Sequence, residues 1–179
     1  MYFTIGHSTR SIADFAALLT SAGVRALADV RRIPRSATNP QFNPGNIESP
    51  LAAAGISYHH ISELGGLRSR SKLQVESPNG FWENTSFRNY ADYAATESFQ
   101  RGFAELRRLG DSQNCAIMCA EAVWWRCHRR IIADYLLAAD EPVFHILGPG
   151  KTEPAKLTAA ARVQPDGSVI YPPAPSPEA

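Results

Sequence analysis

Five short apolar or β-prone runs, separated by segments with helical periodicity, constrain the fold more than any other feature of this sequence. The runs cover residues 2–5, 24–30, 56–61, 115–119 and 143–147. After the first run, Ser11 and Asp14 have the spacing of a capping box, and Phe15, Leu18 and Leu19 recur on one helical face. Strands that alternate with helices pair in parallel through right-handed crossovers. The sequence therefore predicts an α/β fold: a single domain with a mostly parallel, five-stranded, Rossmann-like sheet flanked by helices.

The chain has the size of one domain with a proper core, since it has 179 residues, of which 44% are hydrophobic. We place the α/β domain at residues 1–150. A C-terminal extension at residues 151–171 is predicted to hold a short helix near residues 155–161 and a hairpin turned by Asp166 and Gly167. Residues 172–179 are rich in proline and predict a disordered tail.

Composition limits where the protein works and what it binds. The sequence has no apolar run of about 18 residues, and its first residues lack the basic region of a signal peptide, so we expect no membrane partner. An odd number of cysteines, three, argues against a disulfide framework and indicates a reducing, cytoplasmic setting. The formal net charge is +1, so any binding of anions must come from local clusters of charge. The sequence leaves the oligomeric state open.

Polar and titratable side chains collect at the ends of the predicted strands. They are His7 and Ser8, Asp29 and Arg31, His59 and His60, Cys119 and Glu121, and His145. In a parallel α/β sheet, ligands bind beyond the carboxyl ends of the strands. One histidine at a strand end is more often a satisfied polar group than a catalyst, but agreement at five strands predicts a functional cleft at this edge of the sheet.

The stretch at residues 115–130 carries the strongest chemical signal, because an apolar strand leads there into a helix that we place at residues 126–139. Arginines follow both this strand and the second one: Arg31, Arg32, Arg35, Arg126, Arg129 and Arg130. Guanidinium groups beside the free N–H groups of a helix N-terminus favour phosphate. We therefore expect a site for an anion, with Trp82 and Trp124 in the loops stacking on a base or covering the site.

Acid–base and thiol chemistry each have candidates. Asp29 interrupts an apolar run, so it is either a structural ion pair with Arg31 or a catalytic carboxylate. Glu121 serves as a general base or caps the helix. A thiolate at Cys119 beside arginines would be a nucleophile. A metal site at Cys119, Cys127 and His128 is the weaker interpretation, because seven residues separate the thiols and no second cysteine pair is present; we expect no metal and no cofactor.

The combined motifs resemble the DUF488 family, a group of uncharacterised α/β proteins. The resemblance covers roughly residues 2–147. It depends on residues 4–8, Asp29, residues 64–66, the adjacent pair Tyr90 and Ala91, and the segment 118–129. It implies an α/β fold, and some members of the family carry a DNA-repair label. The positions that match the family motifs are His7, Ser8, Asp29, Arg31, Pro34, Ser36, Gly65, Gly66, Cys119, Glu121, Cys127, His128 and Arg129.

From these signals we expect an enzyme that acts on nucleic acid or a nucleotide, a hydrolase of a base or its N-glycosidic bond, with DNA repair or modified-base processing as its role. The predicted catalytic residues are Asp29, Glu121, His7, His128 and Cys119. The predicted ligand-binding residues are Ser8, Arg31, Arg35, Ser36, Gly65, Gly66, Arg126, Arg129, Trp82 and Trp124. Two alternatives stay open: a thiol- or metal-dependent enzyme for small molecules through Cys119, Cys127 and His128, and a non-catalytic module that binds a phosphorylated ligand.

Overall fold

The computed structural model of the chain describes residues 1–69 and 76–174. Its strands are β1 (Tyr2–Gly6), β2 (Ala26–Asp29), β3 (Ser57–His60), β4 (Cys115–Cys119), β5 (Val143–Gly148), β6 (Lys151–Pro154), β7 (Arg162–Val163) and β8 (Val169–Ile170). Its α-helices are α1 (Ile12–Ser21), α2 (Glu48–Ala53), α3 (Thr85–Ala94), α4 (Glu97–Gly110) and α5 (Arg129–Ala138). Short 3-10 turns cover Pro40–Phe42, Ser62–Leu64 and Trp124–Arg126. Within these residues, no helix is both long and apolar enough to cross a membrane.

The central sheet has the strand order β3-β2-β4-β1-β5-β6. The first five strands are parallel, and β6 pairs antiparallel with β5. The predicted α/β class and mostly parallel sheet are therefore confirmed. The sixth strand was not predicted; it arises because Gly150, at a φ of 63°, turns the chain back along β5.

Helices cover both faces of this sheet, and the two-residue period of the strands supplies a separate core for each face. Tyr2 and Cys115 point to the layer that holds α3, α4 and α5, whereas Phe3 and Ala116 point to the layer that holds α1 and α2. Phe15, the largest buried side chain of α1, packs in the second core. A sheet that is buried on both faces has to expose its polar groups at the strand ends, which is where the candidate residues lie.

The carboxyl ends of β1 and β4 lie side by side, and the chain leaves them in opposite directions. From β1 the chain crosses to α1 on one face, and from β4 it crosses to α5 on the other face. Gly6 pairs with Cys119 at this point, and the backbone N–H of His7 donates to the carbonyl oxygen of Cys119 at 2.9 Å. Such a divergence of neighbouring connections opens a crevice at the sheet edge, the place where α/β proteins bind ligands.

Two predicted helices differ from the structure, one in its start and one in its existence. The helix expected from residue 126 begins at Arg129, because Trp124–Arg126 forms a separate 3-10 turn. The short helix expected near residues 155–161 is absent. There the N–H of Ala155 donates to Val143 and the N–H of Thr158 donates to the carboxylate of Asp134, so tertiary partners take the groups that a helix would need.

The C-terminal part of the described chain adds a small hairpin. β7 and β8 pair antiparallel, and Gly167 has a φ of 81° in the turn between them. Tyr171, which follows β8, is buried and donates its hydroxyl to the carboxylate of Asp134 at 2.9 Å. Residues 175–179 of the predicted disordered tail lie outside the described residues.

Candidate functional site

A pocket of about 470 Å³ opens at the crevice between β1 and β4. Its charged lining is mostly basic, with Arg31, Arg32, Arg35 and Arg126, and Glu121 is the only carboxylate among the described residues that line it. Three of these arginines are exposed at the mouth, whereas Arg31 is buried at the side of the pocket. Guanidinium groups around a partly apolar pocket of this size suit an anionic small molecule.

Two thiols form the floor of this pocket. Cys119 ends β4, Cys127 precedes α5, and both line the cavity while being almost fully buried. Their Sγ atoms lie 2.7 Å apart, and both cysteines are free. The backbone N–H of Glu121 donates to the Cys119 sulfur at 3.3 Å, which fixes the bend of the chain after the strand. The crossover from β4 to α5 thus brings the two thiols into contact although eight positions separate them.

Arg129 makes the two thiols unequal. This guanidinium is 1% exposed, donates from Nη2 to the carbonyl oxygen of Glu121 at 2.6 Å, and donates from Nε to the Cys127 sulfur at 3.5 Å. Among the described residues, no carboxylate forms a salt bridge with it. Because a buried cation without an anion is strongly unfavourable, the charge of Arg129 favours a thiolate at the sulfur beside it.

The pKa values of the two thiols follow from these neighbours. Burial alone would raise the pKa of Cys127, but the hydrogen bond from Cys119 and the positive charges of His128 and Arg129 hold it well below its usual value. Burial raises the pKa of Cys119 well above its usual value, and the adjacent Cys127 sulfur raises it further. We assign the thiolate to Cys127 and the proton to Cys119, which donates it in the hydrogen bond between the two sulfurs.

His128 lies beside the thiolate in a fixed orientation. Its Nε2 donates to the carbonyl oxygen of Val30 at 3.0 Å, and its Nδ1 lies 3.5 Å from the Cys127 sulfur. The ring packs against Gly66, where a Cβ atom would come within 2.8 Å of Nδ1, and against Tyr90 at a ring distance of 4.9 Å. A thiolate, an adjacent imidazole and a carbonyl that orients the imidazole are the parts of an activated nucleophile.

Asp29 holds Arg31 at the side of the pocket. Its carboxylate accepts hydrogen bonds from Nε and Nη2 of Arg31, from the backbone N–H of the same residue, and from the hydroxyl of Tyr58 at 2.7 Å. Asp29 is fully buried and does not line the pocket. A carboxylate with all its lone pairs occupied has none free for a substrate, so this geometry favours the structural ion pair over the catalytic carboxylate.

His7 faces the pocket from the end of β1. Its Nδ1 lies 2.8 Å from the carbonyl oxygen of Ser8, which only a protonated nitrogen can approach as a donor, so Nε2 carries the lone pair. Nε2 lies 3.4 Å from Nη1 of Arg31, and the ring stacks on Phe42 at 4.3 Å. Burial lowers the pKa of His7 below its usual value, and the charge of Arg31 lowers it too. In its neutral form, His7 therefore carries a lone pair on Nε2, which accepts a long hydrogen bond from Arg31.

The structure brings most of the predicted site residues to this one pocket. Those that line it are His7, Arg31, Arg35, Ser36, Gly66, Cys119, Glu121, Arg126 and His128. Two others act from behind the lining: Arg129 lies under the thiols, and Gly65 packs against the backbone of Arg32, where a Cβ atom would come within 2.6 Å of its Cα. Ser8 does not line the pocket; it sits in the turn after β1, where its N–H donates to Ala120.

Two predicted ligand-binding residues lie elsewhere. Trp82 is buried against Phe87 and Tyr171, with ring distances of 4.9 and 5.1 Å. Trp124 stacks on His145 at 4.1 Å. Neither indole lines the pocket. The prediction that these two tryptophans contact the ligand is therefore not supported by the structure.

Several lining residues were missed by the sequence analysis. Phe87 and Tyr90 reach the pocket from α3, which the long crossover between β3 and β4 brings over the sheet edge. Ile33 and Leu67 line the mouth and are 69% and 80% exposed. No local sequence signal marks Phe87, Ile33 or Leu67 as lining residues, and Tyr90 carried a signal only as part of the motif pair with Ala91. Cys127 did have a signal, because it stands two positions before an arginine at a helix start.

The thiols and His128 do not fit a tetrahedral zinc site as they are placed. Two thiolates bound to one zinc ion lie roughly 3.8 Å apart, as bond lengths of about 2.3 Å require. The observed separation of the two sulfurs is 2.7 Å, and Nε2 of His128 is bound to a carbonyl oxygen. In the described part of the chain, no group of three or more histidine, cysteine or acidic side chains could hold a metal ion.

In a comparison with protein families, the chain matches the family described as "Domain of unknown function DUF488" over residues 11–136. The match covers more than half of the chain and includes the pocket residues from Arg31 to His128. Searches of curated proteins and of solved structures gave no match.

Proposed function

We propose that this chain, which belongs to the DUF488 family, is a thiol-dependent enzyme that binds an anionic small molecule in the pocket between β1 and β4. Cys127 is the nucleophile, His128 is the proton carrier beside it, and the pocket arginines hold the negative charge of the substrate. Because this chemistry needs reduced thiols, we propose a reducing compartment such as the cytoplasm as its place of action.

The observation that carries this proposal is the buried guanidinium of Arg129 beside the Cys127 sulfur. Burying a cation in the protein interior is unfavourable unless an anion compensates it. The buried carboxylate at the end of β2, Asp29, is already paired with Arg31. A thiolate at Cys127 supplies the missing negative charge, and the same thiolate is exposed to the pocket.

The neighbouring groups suit nucleophilic chemistry. The thiolate attacks an electrophilic atom of the bound substrate and forms a bond to it, while the bond to the leaving group breaks. A proton for the leaving group comes from the imidazole of His128, whose Nδ1 lies beside the sulfur. His7, whose Nε2 lone pair is held only by the long hydrogen bond from Arg31, accepts a proton from a water molecule that releases the bound fragment.

Alkylation tests the proposal. We expect iodoacetate and iodoacetamide to modify Cys127 first at neutral pH, and faster than they modify a small free thiol, because Cys127 is a thiolate there. Inorganic phosphate should slow the reaction with iodoacetate by occupying the arginines. Cys115 is an internal control, because burial raises the pKa of its thiol to about 12. Alkylation of Cys127 no faster than a free thiol, or no effect of phosphate, would contradict the proposal.

A second candidate, processing of a nucleotide or nucleic acid, is favoured by the combination of Arg31, Arg32, Arg35 and Arg126 with an aromatic wall. Phosphate groups suit the guanidinium groups, and Phe87 or Tyr90 could pack against a base. Glu121 is the one carboxylate among the described residues of the pocket lining and is the candidate general base for hydrolysis at a base or N-glycosidic bond.

Binding and turnover separate this candidate from the first. We expect nucleoside monophosphates and short single-stranded DNA to bind at moderate salt if it is right, and the Glu121→Gln variant to lose turnover of damaged DNA while it keeps binding. Turnover that survives Glu121→Gln but is lost in Cys127→Ser would favour the thiol mechanism. If neither nucleotides nor DNA bind, the second candidate is excluded.

A further inference from the structure

We infer that Cys119 is the resolving thiol of Cys127, and that the pair reduces an organic hydroperoxide that carries a negative charge. This inference deepens the proposed function and rests on Cys127 being the nucleophile. It names the substrate class, the oxidised state of the protein and the residue that completes the reaction.

Contact between the two sulfurs makes a disulfide accessible without rearrangement of the fold. The Sγ atoms lie 2.7 Å apart, whereas a disulfide bond is about 2.0 Å long, so small side-chain rotations bring them to bonding distance. The third cysteine, Cys115, is at the other end of β4 and pairs in register with Tyr2, far along the strand from the pocket. The geometry therefore singles out one pair of partners.

The neighbours of each sulfur assign the two roles. Cys127 has the guanidinium of Arg129 and the imidazole of His128 beside it, which favour the thiolate that attacks. Cys119 donates a hydrogen bond to Cys127 and stays protonated, as burial and its neighbour raise its pKa. A resolving thiol lies next to the nucleophile and reacts only after the thiolate has been oxidised. Cys119 has this position and this protonation state.

Arg129 also decides which oxidant the pair can reduce. A disulfide between Cys119 and Cys127 is neutral, so it leaves the buried guanidinium without the negative charge that the thiolate supplies. The attraction between the thiolate and the guanidinium therefore stabilises the reduced state relative to the disulfide. A pair whose reduced state is stabilised in this way is a poor reductant for ordinary disulfides. Cleavage of a weak O–O bond is the stronger driving force, which points to a hydroperoxide as the oxidant.

The pocket lining points to a charged organic hydroperoxide. Arg35 and Arg126 at the mouth attract the anion, while Ile33, Leu67 and Phe87 offer apolar surface to the organic part. Ile33 and Leu67 are largely exposed to solvent, so their apolar surface is available to a ligand. Hydrogen peroxide has neither charge nor apolar surface and would use none of these groups.

The reaction balances with the hydroperoxide as the only oxidant. The Cys127 thiolate attacks the terminal oxygen, the O–O bond breaks, and the alcohol leaves with a proton supplied by His128, so that Cys127 becomes a sulfenic acid. The Cys119 sulfur then attacks the Cys127 sulfur, a disulfide forms, and the hydroxyl group leaves as water with the proton of the Cys119 thiol. Two molecules of a small thiol reduce the disulfide and become a disulfide themselves.

The test compares linoleic acid hydroperoxide with its methyl ester, in which an uncharged ester group replaces the carboxylate. We expect the acid to oxidise the reduced protein about tenfold faster or more, because arginines at the mouth raise its local concentration. Mass spectrometry of the product should show a Cys119–Cys127 disulfide. The Cys119→Ser variant should stop at a sulfenic acid on Cys127 that dimedone traps, and Cys115→Ser should behave as the wild type.

Each other outcome overturns the inference in a distinguishable way. Equal rates for acid and ester would exclude the charged substrate class. A stable sulfenic acid in the wild type would show that Cys119 does not resolve it. Unchanged oxidation of Cys127→Ser would contradict the proposed function as well, whereas rapid alkylation of Cys127 with no reaction toward either hydroperoxide would remove only this inference.

Discussion

Arg129 and Asp29 illustrate two ways in which a buried charge is compensated at the residue scale. Asp29 pairs with a guanidinium and a phenol, whereas Arg129 has a carbonyl oxygen and a sulfur. The first arrangement is complete within the protein and fixes Arg31. The second gives the sulfur of Cys127 its negative charge, and this charge is the basis of the proposed chemistry.

The pKa of Cys127 should depend on Arg129. In Arg129→Gln we expect alkylation of Cys127 by iodoacetamide at pH 7 to slow by about tenfold or more, since each unit of pKa changes the thiolate fraction tenfold. Arg129→Lys keeps the charge and should restore part of the rate. Arg108→Gln, on the exposed side of α4, is the control. Rates measured across pH check this, and an unchanged profile in Arg129→Gln would be inconsistent with our assignment.

Asp29→Asn should destabilise the protein, because it leaves the guanidinium of Arg31 buried without a full countercharge. We expect a loss of about 3 kcal/mol in the free energy of unfolding, as for other broken buried pairs. Tyr58→Phe removes only one hydrogen bond to the same carboxylate and should cost about 1 kcal/mol. Urea denaturation of the two variants gives the comparison. Equal losses would mean that the ion pair adds nothing beyond a hydrogen bond.

At the scale of elements, sequence periodicity predicted the five parallel strands and the polar groups at the ends of β1, β2 and β4. His145, which was also placed at a strand end, instead lies inside β5 against Thr4 and does not line the pocket. The ends of α5 were placed less well, because Trp124–Arg126 has helical composition but turns separately. β6 was missed because its four residues are exposed and polar and form a strand only by pairing with β5. Strand pairing of this kind is a long-range property that a local pattern does not carry.

The loop after β4 passes close to the end of β1, and this close approach depends on Gly6. A Cβ atom there would overlap the carbonyl of Glu121 and come within 2.9 Å of the Cα of Ala122, both of which are backbone. We expect Gly6→Ala to lower the free energy of unfolding by about 3 kcal/mol or more. Gly148→Ala, at a position with open space around it, should change it by less than about 0.5 kcal/mol. Similar stabilities of the two variants in urea would argue against this close approach.

For the whole molecule, the sequence predicted which edge of the sheet holds the site but not the whole of the site. His7, Cys119 and Glu121 converge because parallel strands share one carboxyl edge, which is a rule of the fold. Phe87 and Tyr90 come from α3, which lies within the long crossover from β3 to β4. Trp82 and Trp124 pack away from the pocket. Which aromatic residues face a cavity depends on tertiary packing that residue type does not reveal.

Global stability should fall in acid because His145 is buried in its neutral form. Burial, together with the positive charge of Arg129, lowers its pKa to about 4. Between pH 6.5 and about 4 the unfolded chain therefore binds more protons than the folded protein, so stability rises with pH in this window and is lost as pH falls. We expect this histidine to account for about 2 kcal/mol of the loss between pH 7 and pH 4.

The His145→Gln variant isolates that contribution, because glutamine has no proton to gain in this range. Urea denaturation at pH 7 and pH 4 should show a smaller fall in stability for the variant than for the wild type. Equal falls in the two proteins would place the acid sensitivity in other groups.

The central claim is that a single thiolate, at Cys127, persists at neutral pH in the floor of the pocket. The most direct measurement is the ultraviolet absorbance of thiolate as a function of pH, in the wild type and in Cys127→Ser. We predict that the wild type shows one thiolate at pH 7 that disappears only when the pH is lowered well below the usual cysteine range, and that Cys127→Ser shows none at pH 7. A wild type whose thiols all ionise above about pH 8.5, as ordinary cysteines do, would contradict the account.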